Sequence, residues 1–243
     1  MLGEPLISKF KFYSAGIVAE NKLISSKQIE VTPIEEIPFT DGELSSHTVE
    51  IKAKAKDASQ ASYENSVKST VTINATWLSL SVSNRLTAPD VRRGEMVMLY
   101  QFGDTDKYYW TTLKEDIALR RLETVIYGFS ASKVEDSPVN PETIYYIEIS
   151  THKKLIHLHT CKADGEPFGY DIQLNTKEGY LVITDDVGNY IHLNSAEQRI
   201  ELKNLAGSHY DMKGPNLNVN IPSNIKMEAG ASILITSPNT TIN

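Results

Sequence analysis

Apolar residues in the second half of the chain recur in a short phrase: one apolar residue, one polar, one apolar, then polar turn formers. It reads Ile147-Glu148-Ile149, Ile156-His157-Leu158 and Ile172-Gln173-Leu174, then Leu181-Val182-Ile183, Ile191-His192-Leu193 and Ile200-Glu201-Leu202. Looser versions follow at Leu217-Asn218-Val219, Ile225-Lys226-Met227 and Ile233-Leu234-Ile235, and Ile242 starts one more. A period of two is that of a strand. Phrases that return about 8–9 residues apart mark a repeat architecture. Each phrase offers only two apolar side chains, and a single chain of phrases has nothing to bury them against. A solenoid that closes its own interior needs roughly 20 residues or more per repeat. What remains is three chains wound about one axis, each supplying one wall of a triangular prism. Ile147, Ile149, Ile156, Leu158, Ile172, Leu174, Ile191, Leu193, Ile200, Leu202, Ile233 and Ile235 would then form the core of a homotrimer. His192, Glu201 and Lys203 would face outward. Gly179, Gly188, Gly207, Gly214, Pro215, Pro222 and Pro238 exclude a sustained coiled coil.

The first half alternates in the same way but without a repeat. Strands are predicted at 16–24, 27–32, 48–55, 69–82, 95–101 and 108–113, with Asp41-Gly42 and Gly103-Asp104 suited to tight turns. Five or six strands over about 100 residues predict a small closed or partly closed barrel over 1–113, OB-like in preference to an open sandwich. Between the halves, Ile117, Leu122, Val125, Ile126 and Phe129 fall at helical spacing and predict a helix over 114–129. The stretch 134–141, with Pro138 and Pro141, predicts a linker, so that 114–142 is helix and linker and 143–243 is the repeat. The predicted class is mainly β: barrel, short helix, then an intertwined trimeric β-helix.

Composition narrows the partners. Among 243 residues the net charge is −7, against the clustered basic charge that phosphate neutralisation demands, so no nucleic-acid partner is expected. Cys161 is the single cysteine, so an internal disulfide is impossible, which fits a reducing compartment. The N-terminal residues alternate rather than forming the apolar centre of a signal peptide, and synthesis in the cytoplasm is expected.

The segment Val187-Gly188-Asn189-Tyr190-Ile191-His192-Leu193-Asn194, followed by Ile200-Glu201-Leu202, resembles the β-prism of central spike proteins from contractile phage tails. Related spikes top type VI secretion needles. The run from Lys153 to Leu174, with Asp164-Gly165-Glu166-Pro167-Phe168-Gly169-Tyr170-Asp171, and Arg120-Arg121-Leu122-Glu123 are also similar to that family. The resemblance implies a mechanical role at the tip of the tail baseplate in the virion. The barrel trimer would plug the tail tube on a hub protein, and the needle would pass through the host envelope on contraction. Some members carry a lysozyme domain between barrel and prism. Here 114–142 leaves no room for one. A small tip protein on the last layers, Ile233, Ile235 and Ile242, is a further expected partner.

Candidate chemistry is sparse. His157-Leu158-His159 places two imidazoles on one face of a strand, and some phage spikes hold an iron with such a motif near the tip. The repeat aligns His157 with His192, on the outward side, so no cofactor is expected and His157 and His159 remain the only candidates for an axial metal ion. Tyr108-Tyr109-Trp110 is better explained by core and interface positions than by a stacking platform for nucleic acid or glycan. The adjacent acids Asp185-Asp186 and Glu35-Glu36 point to opposite faces of a strand. No nucleophile elbow, phosphate loop or metal-binding helix motif occurs, so no catalytic residue is expected. The competing function is a trimeric receptor-binding fibre for surface glycans, which the lack of aromatic residues after Tyr210 disfavours.

Overall fold

The computed structural model describes residues 8–36, 49–56, 62–69, 72–80, 84–113 and 123–237, and among these every regular element is a strand. The first group closes into a barrel. It consists of β1 (Phe10–Val18), β2 (Gln28–Pro33), β5 (Ile73–Trp77), β6 (Met96–Phe102) and β7 (Tyr108–Thr112), hydrogen-bonded in the order β1-β2-β5-β7-β6 and back to β1. Only β5 and β7 run parallel; the other pairs are antiparallel. The pair β3 (Val49–Lys56) and β4 (Ser62–Ser69) forms a separate two-stranded sheet, inserted in sequence between β2 and β5.

Alternation along the barrel strands delivers one side chain in two to the interior. Val18, Val31, Val97, Leu99 and Trp110 are each 0% exposed. The Trp110 indole, which cannot be buried without an acceptor, donates from Nε1 to the Lys27 carbonyl at 3.0 Å. Closure also depends on Gly16, where a Cβ would lie 2.5 Å from Val31 Cγ2. The first strand runs from Phe10 to Val18 and not over the predicted 16–24, because the residues after Val18 turn around the buried amine of Lys22. That amine donates to the carbonyls of Leu23 (2.8 Å) and Ser26 (3.1 Å). The predicted strand 69–82 corresponds to β5, with Ser69 closing β4.

The second group is a nine-stranded antiparallel meander. It runs β8 (Thr124–Ser130), β9 (Ile144–Ser150), β10 (Leu155–His159), β11 (Tyr170–Asn175), β12 (Tyr180–Asp185), β13 (Tyr190–Asn194), β14 (Arg199–Lys203), β15 (His209–Lys213) and β16 (Asn216–Asn220), each paired with the next. Its turns follow from local chemistry. In the β15–β16 hairpin the pair Lys213–Asn216 leaves only Gly214 and Pro215 to reverse the chain, and Gly214 takes φ of 54°.

Two expectations fail at the start of this sheet. The helical spacing at 124–129 is overridden: Thr124–Ser130 is β8, paired residue for residue with β9. Val125, Ile126, Tyr127 and Phe129 are β-branched or aromatic and suit a pleated surface, and β9 satisfies their backbone. Residues 114–122 lie outside the described residues. The turn-rich stretch 134–141 is not a linker between domains but the connection from β8 to β9 within one sheet. Barrel-side residues 84–90 instead clasp the sheet. Leu86 N–H donates to the Ile126 carbonyl at 2.8 Å and Gly128 N–H to the Asn84 carbonyl at 2.9 Å. Arg85 pairs with Glu123, and His152 lies 3.3 Å from Asp90. Gly128 is required here because a Cβ would meet Leu86 Cδ1 at 2.7 Å.

A third correction concerns the end of the repeat. The phrases at 225–227 and 233–235 form no strand within the chain, and Ile225, Met227, Ile233 and Ile235 are exposed. Pro222 cannot donate to a ladder, and no described residue pairs with these phrases.

Candidate functional site

The meander presents two chemically opposite faces, and the register makes each continuous. Directly paired residues carry one apolar column from Val125 through Ile149, Ile156, Leu174, Leu181, Leu193, Ile200 and Met212 to Leu217. A second runs from Tyr127 through Ile147, Leu158, Ile172, Ile183, Ile191, Leu202 and Tyr210 to Val219. Each strand gives one residue to each column, because a strand's side chains on one face are two residues apart. A single-residue slip at any hairpin would move the rest of the column to the other face.

These side chains are not covered. Ile149 is 50% exposed, Ile191 48%, Leu193 41% and Leu202 42%, although their types belong in a core. The residues expected to form a trimer core from Ile147 to Leu202 all stand in the two columns. Ile233 and Ile235 stand outside the sheet, and Ile242 lies outside the described residues. Tyr210-Asp211-Met212 and Val125-Ile126-Tyr127 join the columns without having been expected there. The first was hidden because Tyr and Met stand where the other phrases have Ile or Leu, the second by its helical spacing.

The opposite face is polar and more buried than the apolar one. Glu201 lies on the face opposite the apolar columns, as His192 does, but it is buried there among polar partners: Glu148 is 5% exposed and Glu201 6%. Glu201 accepts from the Tyr190 hydroxyl at 3.2 Å and lies 3.1 Å from His209 Nε2, 3.4 Å from His192 Nδ1 and 2.8 Å from Arg199 Nη2. Burial pushes its carboxyl up, but the hydrogen bonds from His192 and His209, the Arg199 charge and the Tyr190 hydroxyl together hold it below its ordinary value. Arg199 also donates from Nε and Nη2 to the two oxygens of Asp211, at 2.8 and 3.0 Å, and that bidentate pair holds the Asp211 carboxyl low. Lys203 is exposed, as expected.

His157 and His159 lie on this polar face, not on the apolar one that would line an axis. They are not bare to solvent: their side chains are 12% and 17% exposed. Tyr146 stacks on His159 with ring centroids 4.9 Å apart, and Asp171 Oδ1 lies 2.5 Å from His157 Nε2 and 3.0 Å from His159 Nδ1. Burial pushes the Asp171 carboxyl up, and the two imidazole hydrogen bonds outweigh it, leaving it below its ordinary value. Asp171 was not singled out from the sequence, because the ten residues between β10 and β11 hide a partnership that pairing His159 with Asp171 makes direct.

No protein-family model matches the chain, and no curated protein matches it either. No helix among the described residues is long and apolar enough to cross a membrane.

Proposed function

We propose that the chain is a structural protein, the central spike of a contractile phage tail baseplate, acting as a homotrimer without catalytic activity. Three meanders stand as the walls of a β-prism with their apolar columns inward. The barrel, with the strand order and single parallel pair of an OB-like fold, seats on a tail hub protein and plugs the tube. On sheath contraction the prism is driven through the host envelope.

The observation that carries this is the pair of unbroken apolar columns on a sheet face that stays exposed among the described residues. Each such side chain contributes about 1.5–3 kcal/mol when taken fully out of water. That contribution exists only in the assembled state, so folding and association are one event. Three copies suit the face better than two. In a two-sheet sandwich both columns of a five-residue-wide wall lie at the rim, where water reaches them. Three walls close a ring in which each column abuts a neighbouring chain. The unpaired phrases at 225–227 and 233–235 fit the same scheme, since their strand partners then come from the other two chains. A tip protein over Ile233 and Ile235 remains part of the proposal.

Sedimentation equilibrium of the full chain tests the assembly, with three chains of 27.1 kDa expected. A folded monomer or a dimer would overturn it. Antibodies to the chain should then label the distal end of contractile-tailed particles. Labelling of lateral fibres instead would assign a receptor-binding function.

A further inference from the structure

The barrel is apolar on one outer wall as well as inside. A strand of a closed barrel sends alternate residues inward and outward, so one that faces water carries polar residues outside. The wall made by β2 and β5 obeys this: Ile29 pairs with Ala75 inside, and the outward pairs are Gln28 with Thr76 and Glu30 with Asn74. The wall made by β1 and β6 does not. Val97 and Leu99 are fully buried in the interior, so the alternate residues Met96, Met98, Tyr100 and Phe102 stand on the outer face. Their partners on β1 are Ile17, Ala15, Phe12 and Phe10. A bulge keeps those four on one face. The extra residue, Tyr13, packs against the core beside Tyr108, with ring centroids 5.0 Å apart, and shifts the alternation by one.

Tyr109, opposite Tyr100 on β7, joins the same face. Phe10 stacks on Tyr100 at 5.3 Å and meets the Tyr109 ring edge-on at 5.7 Å. Phe12 and Phe102 are still 47% and 46% exposed, which marks the stripe as an interaction surface. It runs the whole length of β1. The Ile17–Met96 rung lies at the end nearest the sheet, since Val18 and Lys22 bond to Glu95 and Val91 and the adjoining Asp90 reaches His152. The Phe10–Phe102 rung lies at the far end.

We infer that this wall faces the threefold axis of the proposed trimer and that its partner is the same wall of the two other copies. The inference rests on the spike reading and adds to it the surface by which the barrels meet. Set on the axis, the wall meets its counterparts in both neighbours, so one apolar stripe completes the contact. Assembly of the meanders holds the three barrels side by side at a high effective concentration. A partner seated only on the far end would leave the rungs nearest the sheet in water. Aromatic and methionine side chains from three copies then fill the axis above the prism, and that packed core is what plugs the tube.

The test is maleimide labelling of the full chain with Cys161→Ser, carrying Met98→Cys on the apolar wall or Glu30→Cys on the polar one. In the three-chain assembly the Met98→Cys thiol should react about 100-fold more slowly than the Glu30→Cys thiol, because a thiol in a closed core reacts only when the core opens. With Ile200→Asp added to separate the chains, the Met98→Cys rate should rise at least about 10-fold and the Glu30→Cys rate should not change. Phe12→Cys, half open in the single chain, repeats the measurement if Met98→Cys does not assemble. Equal rates in a three-chain particle overturn the axial wall and leave the prism standing. Slow labelling that persists after separation assigns the cover to the same chain and overturns it as well. A particle of any other number of chains removes the spike reading and this inference together.

Discussion

The barrel and the meander use the same side chains under opposite circumstances. In the barrel, Val31, Val97 and Leu99 are fully enclosed because the sheet closes on itself and each strand's inward residues meet those from across the lumen. In the meander, Ile147, Ile156 and Ile200 are each 41% exposed on a sheet that never curls back. Closure is a property of topology: the parallel β5–β7 pair brings the last barrel strand back beside an earlier one, whereas the meander adds each strand to the far edge. One region completes its core alone and the other exports the need for one. On the proposed trimer, the barrel would fold by itself and the stability of the meander would depend on concentration.

The largest way to break the comparison is one charge in an apolar column. Ile200→Asp would place a carboxylate from every chain at one level of a dry interior, where desolvation has no compensation. Sedimentation should show complete loss of the assembly, while near-ultraviolet circular dichroism of the Trp110 region keeps the barrel's signal. An assembly that survives would mean the columns are not buried against other chains. The converse change, Trp110→Ala, removes the largest buried side chain of the barrel and its bond to Lys27. It should destabilise the barrel by about 3–5 kcal/mol in denaturant unfolding, with the particle mass unchanged.

Next in size is the junction of the two regions. Gly128→Val sets two methyl groups against Leu86 and should lower the stability of the junction by about 1–3 kcal/mol. Hydrogen exchange at the Leu86 and Gly128 amides would reveal it before global unfolding does. Acid probes the polar face. The carboxyls of Asp211 and Glu201 are held below their ordinary values in the folded chain, so their contribution is present above the unfolded carboxylate range. It is lost as pH falls through that range, below about 4. The melting temperature of the assembly should drop there, and Arg199→Gln should flatten the drop. A melting temperature that rises on acidification would contradict the assigned direction. The smallest effect belongs to Lys203→Asp, an exposed position next to the column, where stability should change by no more than about 0.5 kcal/mol. A large loss at Lys203 would mean that the faces are reversed.

Legibility along the chain tracked how local the deciding interaction is. The apolar phrases were readable because a strand's period of two is written directly into neighbouring residues, and the registers place Ile191 and Leu193 on one face and His192 on the other. The span 124–129 was misread because Val125, Ile126 and Phe129 satisfy helical spacing too; pairing with Ile144–Ser150 decides for a strand, and that partner lies across the β8–β9 connection. The same long-range pairing turned 134–141 from a linker into a connection inside the sheet. The phrase places Glu201 on the outward face but does not show that Arg199, Tyr190, His192 and His209 converge on it across three strands and bury it. Asp171 joined His157 and His159 only when β10 and β11 came into register.

By itself the sequence determined that the chain is mainly β, that its second half repeats, and that this half carries more apolar side chains than a single chain of strands can enclose. Alternation and spacing are local properties, and covalent order alone conveys them. Only the tertiary structure decided that the five barrel strands close, that the sheet begins at Thr124, that the two columns are unbroken over nine strands, and which polar residues share a site. Each of these depends on which distant strand becomes a neighbour. That choice is made by backbone pairing and closure, which act between residues with no proximity in the chain.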